Sequence, residues 1–270
     1  MKKLLLLLPL TFFLSCQEDE TIIQLEENNN FNPYPKGYFL TEEDKLIDTV
    51  RFEYENNLVT KRIGEFVDTS TSTDFIYFFS KQIESNVNYI GNQAVIKRIS
   101  KIEGVSLPED IQIYNLNGKQ INDAIFTYQT KPNFSEKYVY NYKNNQIKSI
   151  DLLISDSVKK NDLTSSEEFY FNSKGNLDSV VYRDAVYLNG LPTIDYNSKA
   201  RKVTRFINYD ESQNLFQNLG IFKDQYFRSL SKNNFRGFII KDYDKNGNSL
   251  NYSDASWTYE YINGEVKVLK

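Results

Sequence analysis

The stretch Tyr114-Asn115-Leu116-Asn117-Gly118-Lys119-Gln120-Ile121 decides how this chain is read. A tyrosine closes one apolar run, Asn-Gly follows, and an aliphatic residue opens the return. Asn-Gly accepts the positive φ that tight hairpins demand, so the stretch predicts strand, turn, strand. Tyr243-Asp244-Lys245-Asn246-Gly247-Asn248-Ser249-Leu250 is a second full copy, and Phe171-Asn172-Ser173-Lys174-Gly175-Asn176-Leu177 is one residue shorter. Tighter copies are Tyr54-Glu55-Asn56-Asn57-Leu58, Tyr142-Lys143-Asn144-Asn145-Gln146-Ile147 and Tyr261-Ile262-Asn263-Gly264-Glu265-Val266; Tyr89-Ile90-Gly91-Asn92-Gln93-Ala94-Val95 is weaker.

Rings at alternate positions, as in Phe52/Tyr54, Tyr138/Tyr140/Tyr142 and Trp257/Tyr259/Tyr261, share one face of a strand. Tyr114, Tyr142 and Phe171 stand 28 and 29 residues apart, which suits one hairpin plus a connector. The period then drifts, so the repeat is degenerate. Ile147 and Ile150 are three apart, as are Leu177 and Val180, where alternation requires two or four. Either a bulge beside the turn switches faces, or both faces are partly covered. Residues 212–230 carry a different period. Leu215, Leu219, Phe222, Tyr226 and Leu230 follow helical steps, Gly220 splits them, and Asn233-Asn234 ends them. The expected fold is all-β and mainly antiparallel. It is a hairpin meander forming one large twisted or curved sheet, with a short helical insert near 212–230.

The N-terminus predicts an address. Lys2 and Lys3 precede an apolar run, Leu4 to Leu14. Eleven helical residues reach roughly 17 Å, too short for a hydrocarbon core of ~30 Å. A positive start, a short apolar region and then Ser15 describe a secretory signal. Phe13-Leu14-Ser15-Cys16 resembles a lipobox, in which Cys16 takes a diacylglycerol thioether and becomes the first mature residue. The run Gln17, Glu18, Asp19, Glu20 resembles the surface-export signal of Bacteroidota lipoproteins; as charge alone it also fits a solvated tether. The expected organisation is a lipoprotein signal peptide at 1–15, lipidated Cys16 and a flexible tether over 16–40, and one β-hairpin-repeat domain over 41–270. A tether of ~20 residues has an r.m.s. reach of about 25 Å.

Composition excludes several functions. The chain has 270 residues, 32 basic and 36 acidic, for a net charge of −4. Removal of the signal takes Lys2 and Lys3 with it, leaving −6. Nucleic acid is therefore a poor partner. Cys16 is the single cysteine, so no disulfide forms within one chain. Histidine is absent, which removes serine and cysteine triads and the usual catalytic zinc sites. Carboxylate-only chemistry, as in glycoside hydrolysis, survives. Twenty Tyr and nineteen Phe against one Trp and one Met fit an aromatic-rich β protein.

Asp242-Tyr243-Asp244-Lys245-Asn246-Gly247-Asn248 begins like a calcium loop, but its twelfth position is Ser253, not a bidentate Glu, and it coincides with a hairpin copy. No metal or cofactor is expected. Trp257, Tyr259 and Tyr261 are the candidate ligand-contact aromatics, a platform for a sugar ring; the competing reading is cross-strand packing. Arg201, Lys202 and Arg205 read as a solvated strand edge. Glu167 and Glu168, adjacent on a strand, cannot face one cleft as an acid/base pair.

The form Tyr-Asp-x-x-Gly-Asn-x-Leu at 243–250 resembles the tyrosine–aspartate (YD/RHS-like) repeat of bacterial surface and toxin shells. More closely, residues 45–270 are similar to a family of Bacteroidota surface lipoproteins of unknown function. The likeness is carried by Phe206-Ile207-Asn208-Tyr209-Asp210, Asn214-Leu215-Phe216 and Leu230-Ser231-Lys232-Asn233-Asn234. Several copies lack Asp after Tyr (Glu55, Lys143, Ile262), which loosens the tie to shell repeats. The resemblance implies a fold and a location, not a reaction. The expected protein is a non-enzymatic, lipid-anchored envelope protein with a structural or binding role, in the outer membrane and facing outward. Its partners are outer-membrane lipid, through N-terminal acylation, and a glycan or another envelope protein. A glycan-binding lipoprotein of a nutrient-uptake system is the alternative, and a carboxylate-dependent hydrolase the third.

Overall fold

A computed structural model describes residues 34–42, 45–70, 75–103, 107, 111–128, 131–262 and 265–269. The signal, Cys16, the acidic run Gln17, Glu18, Asp19, Glu20, and the Asn263-Gly264 turn lie outside the described residues. The strands are β1 (Gly37–Glu42), β2 (Lys45–Glu55), β3 (Leu58–Ser70), β4 (Phe75–Ile90), β5 (Gln93–Ser100), β6 (Ile111–Asn117), β7 (Gln120–Tyr128), β8 (Lys131–Lys143) and β9 (Gln146–Ser155). There follow β10 (Asp162–Phe171), β11 (Leu177–Asp184), a small ribbon of β12 (Val186–Leu188) with β13 (Leu191–Thr193), β14 (Lys202–Gln213), β15 (Asn233–Tyr243), β16 (Ser249–Ser256), β17 (Thr258–Ile262) and β18 (Glu265–Leu269). The expected meander is there: β1 to β11 lie side by side in chain order, and β14, β15 and β16 continue them.

The bulge reading holds, and it recurs. In the β8–β9 hairpin Asn141 faces Ser149 and Tyr142 faces Ile147, so Lys148 is the extra residue. Asp178 plays that part in β10–β11, Thr60 in β2–β3, Asn122 in β6–β7 and Leu250 in β15–β16. An unpaired residue restores the face after three steps instead of two. Val59 and Arg62, Ile121 and Ala124, Ile147 and Ile150, and Leu177 and Val180 are accordingly all buried.

The expectation of one large twisted or curved sheet needs a correction: the sheet curls until its ends almost meet. β18 pairs with β1 in parallel, Gly37 facing Glu265 and Thr41 facing Leu269. β16 and β17 are halves of one run interrupted at Trp257; the first pairs with β15 and the second with β18. One segment thus spans the seam, and the 16-stranded sheet is a nearly closed barrel. Twist accumulated over so many strands brings the edges round, and joining them removes two rows of unpaired backbone groups. No local pattern announces the pairing of β1 with β18, since it joins the two ends of the domain.

The helical insert takes the form of two 3-10 turns, Leu215–Leu219 and Lys223–Gln225, and one α turn, Tyr226–Ser229, with Gly220 at the break. Leu215, Phe216, Leu219, Ile221, Phe222 and Tyr226 are buried in one core with wall residues from β1 to β18. Their rings touch the barrel at many bearings: Phe216 lies 6.2 Å from Tyr38, Phe222 5.9 Å from Phe52, Tyr226 5.5 Å from Tyr140, and Phe227 5.7 Å from Phe206. The insert therefore fills the lumen, and the face it touches is the inner one. Asn214 ties it shut: its Oδ1 accepts from the Phe216 N–H at 2.8 Å, and its Nδ2 donates to the carbonyls of Arg228 and Ser231. Buried Arg62 pins its middle, pairing with Asp224 at 2.5 Å and Glu65 at 2.6 Å while stacking over Phe222 at 4.4 Å.

Candidate functional site

Most hairpin turns lie at one end of the barrel, and most longer connectors at the other. Toward the connector end the insert leaves the lumen incompletely filled. Two cavities of 320 and 280 Å³ open there, and both are walled by Glu167, Tyr182 and Phe227. Glu167 comes from β10, where it faces Ile150 on one side and Tyr182 on the other. Tyr182 in turn faces Lys202 of β14, so a carboxylate, a phenol and an ammonium lie along one inner row. Lys223, from the second 3-10 turn, reaches the same space; its ammonium lies 5.5 Å from the centre of Phe126 and 5.4 Å from that of Tyr138, and donates to the Tyr138 hydroxyl at 3.3 Å. Tyr138 donates to Glu136 at 2.6 Å, which holds that ring in place.

Among the described residues no hydrogen bond reaches the Glu167 carboxylate. Burial among the rings raises its pKa, and Lys202 and Lys223 pull only partly against that. Both cavities thus have aromatic walls and share the Glu167 carboxylate, with exposed Lys223 at the rim of the larger and exposed Lys202 at that of the smaller. The sequence missed them. Glu167 was legible only as half of an unsuitable acid pair, and the two carboxylates do part: Glu168 points outward to Arg183 and Lys148.

Trp257, Tyr259 and Tyr261 share the inner face at the seam. Trp257 packs 5.8 Å from Phe235 and 5.9 Å from Phe238, with the Arg228 guanidinium 4.7 Å over it. The Tyr259 hydroxyl donates to the Phe235 carbonyl at 3.1 Å and also meets Arg228. Tyr261, 41% exposed, binds Asp210, Ser212 and Asn234 through its hydroxyl. Asp210, Asn214, Ser231, Asn233 and Asn234, drawn from the three family-like motifs, thus form a latch where the insert leaves the wall. Asn233 and Ser231 continue it to Asn176 of the facing loop and to Leu177 at the start of β11.

Arg201, Lys202 and Arg205 do not form a strand edge, because β14 lies between β11 and β15. Arg201 pairs with Asp184 at 2.9 Å, and Lys202 serves the lumen. In the calcium-like turn the Asp244 carboxylate is spent on its own loop, accepting from the N–H groups of Asn246 and Asn248 and from the Asn248 side chain, each at 2.8 Å. No metal-ligating cluster occurs among the described residues.

The outer face carries polar ladders beside an apolar stripe of Val95, Ile113 and Ile125. Gln93, Asn115 and Asp123 form a hydrogen-bonded ladder across three strands, Asn141 donates to Ser149 and Asp151, and Lys61 pairs with Glu84.

No family model and no curated protein matches the chain. Among solved structures, it is similar to a porin-like protein from Bacteroides uniformis at 13% identity, over 81% of this chain and 80% of that one, with a TM-score of 0.46. It is also similar to a porin-like protein from Bacteroides vulgatus at 13% identity, over 87% and 90% of the two chains, with a TM-score of 0.47.

Proposed function

We propose that this chain is a lipid-anchored envelope protein whose barrel stands in water beside the outer membrane and binds a small ligand in its lumen, without a catalytic step. The observation that carries the location is the outer face. A membrane-spanning barrel turns apolar side chains outward over ~25 Å, and a Lys or Arg there costs about 2–4 kcal/mol at mid-depth. Here Lys61, Arg183, Glu168, Asp123 and Asp151 occupy that face, in ion pairs or hydrogen bonds. The lumen is plugged by the insert where a porin's is wet. Attachment to the membrane therefore falls to Cys16.

The test separates anchor from barrel. Cys16→Ala is expected to lose lipid labelling and to stay uncleaved after Ser15. A chain in which an ordinary cleavable signal without a lipobox replaces residues 1–16 is expected to leave washed membranes folded. If this second chain stays in the pellet through alkaline carbonate, the reading is overturned in favour of a spanning barrel. Outward display rests on Glu18, Asp19 and Glu20. Replacing all three with Ala should leave lipidation intact but hide the protein from protease added to whole cells; unchanged shaving would reduce the run to a tether.

One feature favours glycan capture as a second reading. A 610 Å³ basin at the turn end is lined by Tyr34, Tyr89 and Tyr142 together with the amides of Asn56, Asn145, Gln146 and Gln217. Rings and neutral amides suit a sugar. Binding on a glycan array that Tyr89→Ala removes would establish it.

A further inference from the structure

Glu167 is shared by the two connector-end cavities; Lys223 lines the larger, and Lys202, Asp224 and Arg228 line the smaller. Glu167 lies on the inner wall, half-buried, with no hydrogen bond to its carboxylate among the described residues. Lys202 stands two strands away on the same inner row, at the rim. Lys223 approaches from the insert, held over the Phe126 and Tyr138 rings. Phe227, 5.9 Å from Phe169 and 5.7 Å from Phe206, forms the partition between the two cavities.

From this juxtaposition we propose that the larger cavity is a binding site for a small zwitterion with an apolar or aromatic side chain, an α-amino acid or the end of a short peptide. There its ammonium meets Glu167, its carboxylate meets Lys223 at the rim, and its side chain lies against the rings of Phe126, Tyr138 and Phe227.

The alternatives each leave a group unmatched. A simple organic cation answers Glu167 and suits aromatic walls, but it meets the Lys223 ammonium at the rim as a like charge. A simple anion suits Lys223 but is brought beside a carboxylate that burial already disfavours as a charge. A zwitterion answers both signs, and the larger cavity of 320 Å³ is of the size that small-ligand sites have. The inference deepens the binding role proposed above, yet it does not depend on where the barrel sits. Its failure and the failure of the Cys16 test are therefore distinct.

The experiment is calorimetry on the full lipidated chain in phosphatidylcholine nanodiscs, with three probes of one shape. L-Phenylalanine carries both charges, phenethylamine lacks the carboxylate, and hydrocinnamate lacks the ammonium. Phenylalanine is expected to bind at least tenfold more tightly than either. Glu167→Gln should weaken phenylalanine and phenethylamine about tenfold and leave hydrocinnamate unchanged or stronger. Lys223→Met should weaken phenylalanine and hydrocinnamate and spare phenethylamine, with far-UV circular dichroism confirming the fold in each. Tighter binding of hydrocinnamate than of phenylalanine would make this an anion site, and tighter binding of phenethylamine a cation site. No saturable heat from any probe at millimolar concentration would remove the site. These comparisons in the unmutated chain stand even if a variant misfolds.

Discussion

Glu167 and Glu168 are chain neighbours with opposite surroundings. Glu168 accepts from Arg183, Lys148 and the Tyr170 hydroxyl on the outer face. Glu167, inside, is surrounded by rings that cannot solvate a charge, and Tyr140, Tyr182 and Tyr226 nearby are themselves held neutral by burial, with pKa values raised. A carboxyl whose folded pKa lies above its unfolded value of ~4.3 weakens the native state once pH rises past that value. Glu167→Gln should therefore raise the melting temperature at pH 7, and the gain should vanish as pH falls below about 4, where both forms are neutral. A variant equally or less stable at pH 7 would show that the carboxylate is already compensated. Strand alternation made the opposed directions of these residues legible in the sequence. Which of them faced the lumen was not, because Glu167 follows polar Ser165 on the inner face of β10 and its row runs through Tyr182 to the charged Lys202.

At the scale of elements, the hairpins came through as read, down to the bulges that the three-residue spacings of Ile147/Ile150 and Leu177/Val180 indicated. One detail of the repeat differs from its sequence pattern. The Phe171 copy looked a residue shorter than the Tyr243 copy, yet their loops are twins of equal length. In both, the first loop residue caps the turn: Asn172 accepts from the N–H groups of Lys174 and Asn176, as Asp244 does from Asn246 and Asn248. Gly175 and Gly247 both take φ +82°. The leucines misaligned the copies, since Leu177 is paired and buried while Leu250 is the bulged residue. An amide thus does in one loop what a carboxylate does in the other. Asp244→Asn should leave the melting temperature near wild type, and millimolar calcium should not raise it; a calcium-dependent rise lost in the variant would make the loop a metal site. The tight turns rest on backbone instead. Asn56 and Asn57 take φ of 50° and 65°, as Asn144 and Asn145 take 53° and 63°. Asn57→Gly should be tolerated, while Asn57→Val should cost about 1–3 kcal/mol, because a β-branched residue is strained at positive φ. Equal denaturation midpoints for the two variants would refute the left-handed turn.

The whole molecule is defined by a closure and a filling, and neither has a short-range signal. Helical spacing over 215–230 marked the insert, but its place inside the wall follows only from the ring partners it finds on β1, β2, β8, β10 and β14. Filling and closure depend on each other. An apolar lumen is stable only if the wall keeps water out, and the wall closes around something that occupies its interior. The seam is the place to test this. Ending the chain after Ser256 removes Trp257, β17 and β18. It bares the edge of β1 along Gly37–Glu42 and takes away the rings that cover Phe216 and Phe235. The remaining sheet would present two unpaired edges beside an opened apolar interior, a combination that recruits other chains. The truncated chain should therefore elute from size-exclusion chromatography as dimers or larger species, growing with concentration, and should melt well below the full chain. Pairing across the seam also joins residues more than 200 positions apart, as Gly37 does with Glu265. Such contacts close late, so the full chain should refold slowly and the truncated one should lose its slowest phase. A truncated chain that stayed monomeric, melted like the full one and refolded with unchanged kinetics would mean that β17 and β18 merely lie along a wall already complete without them.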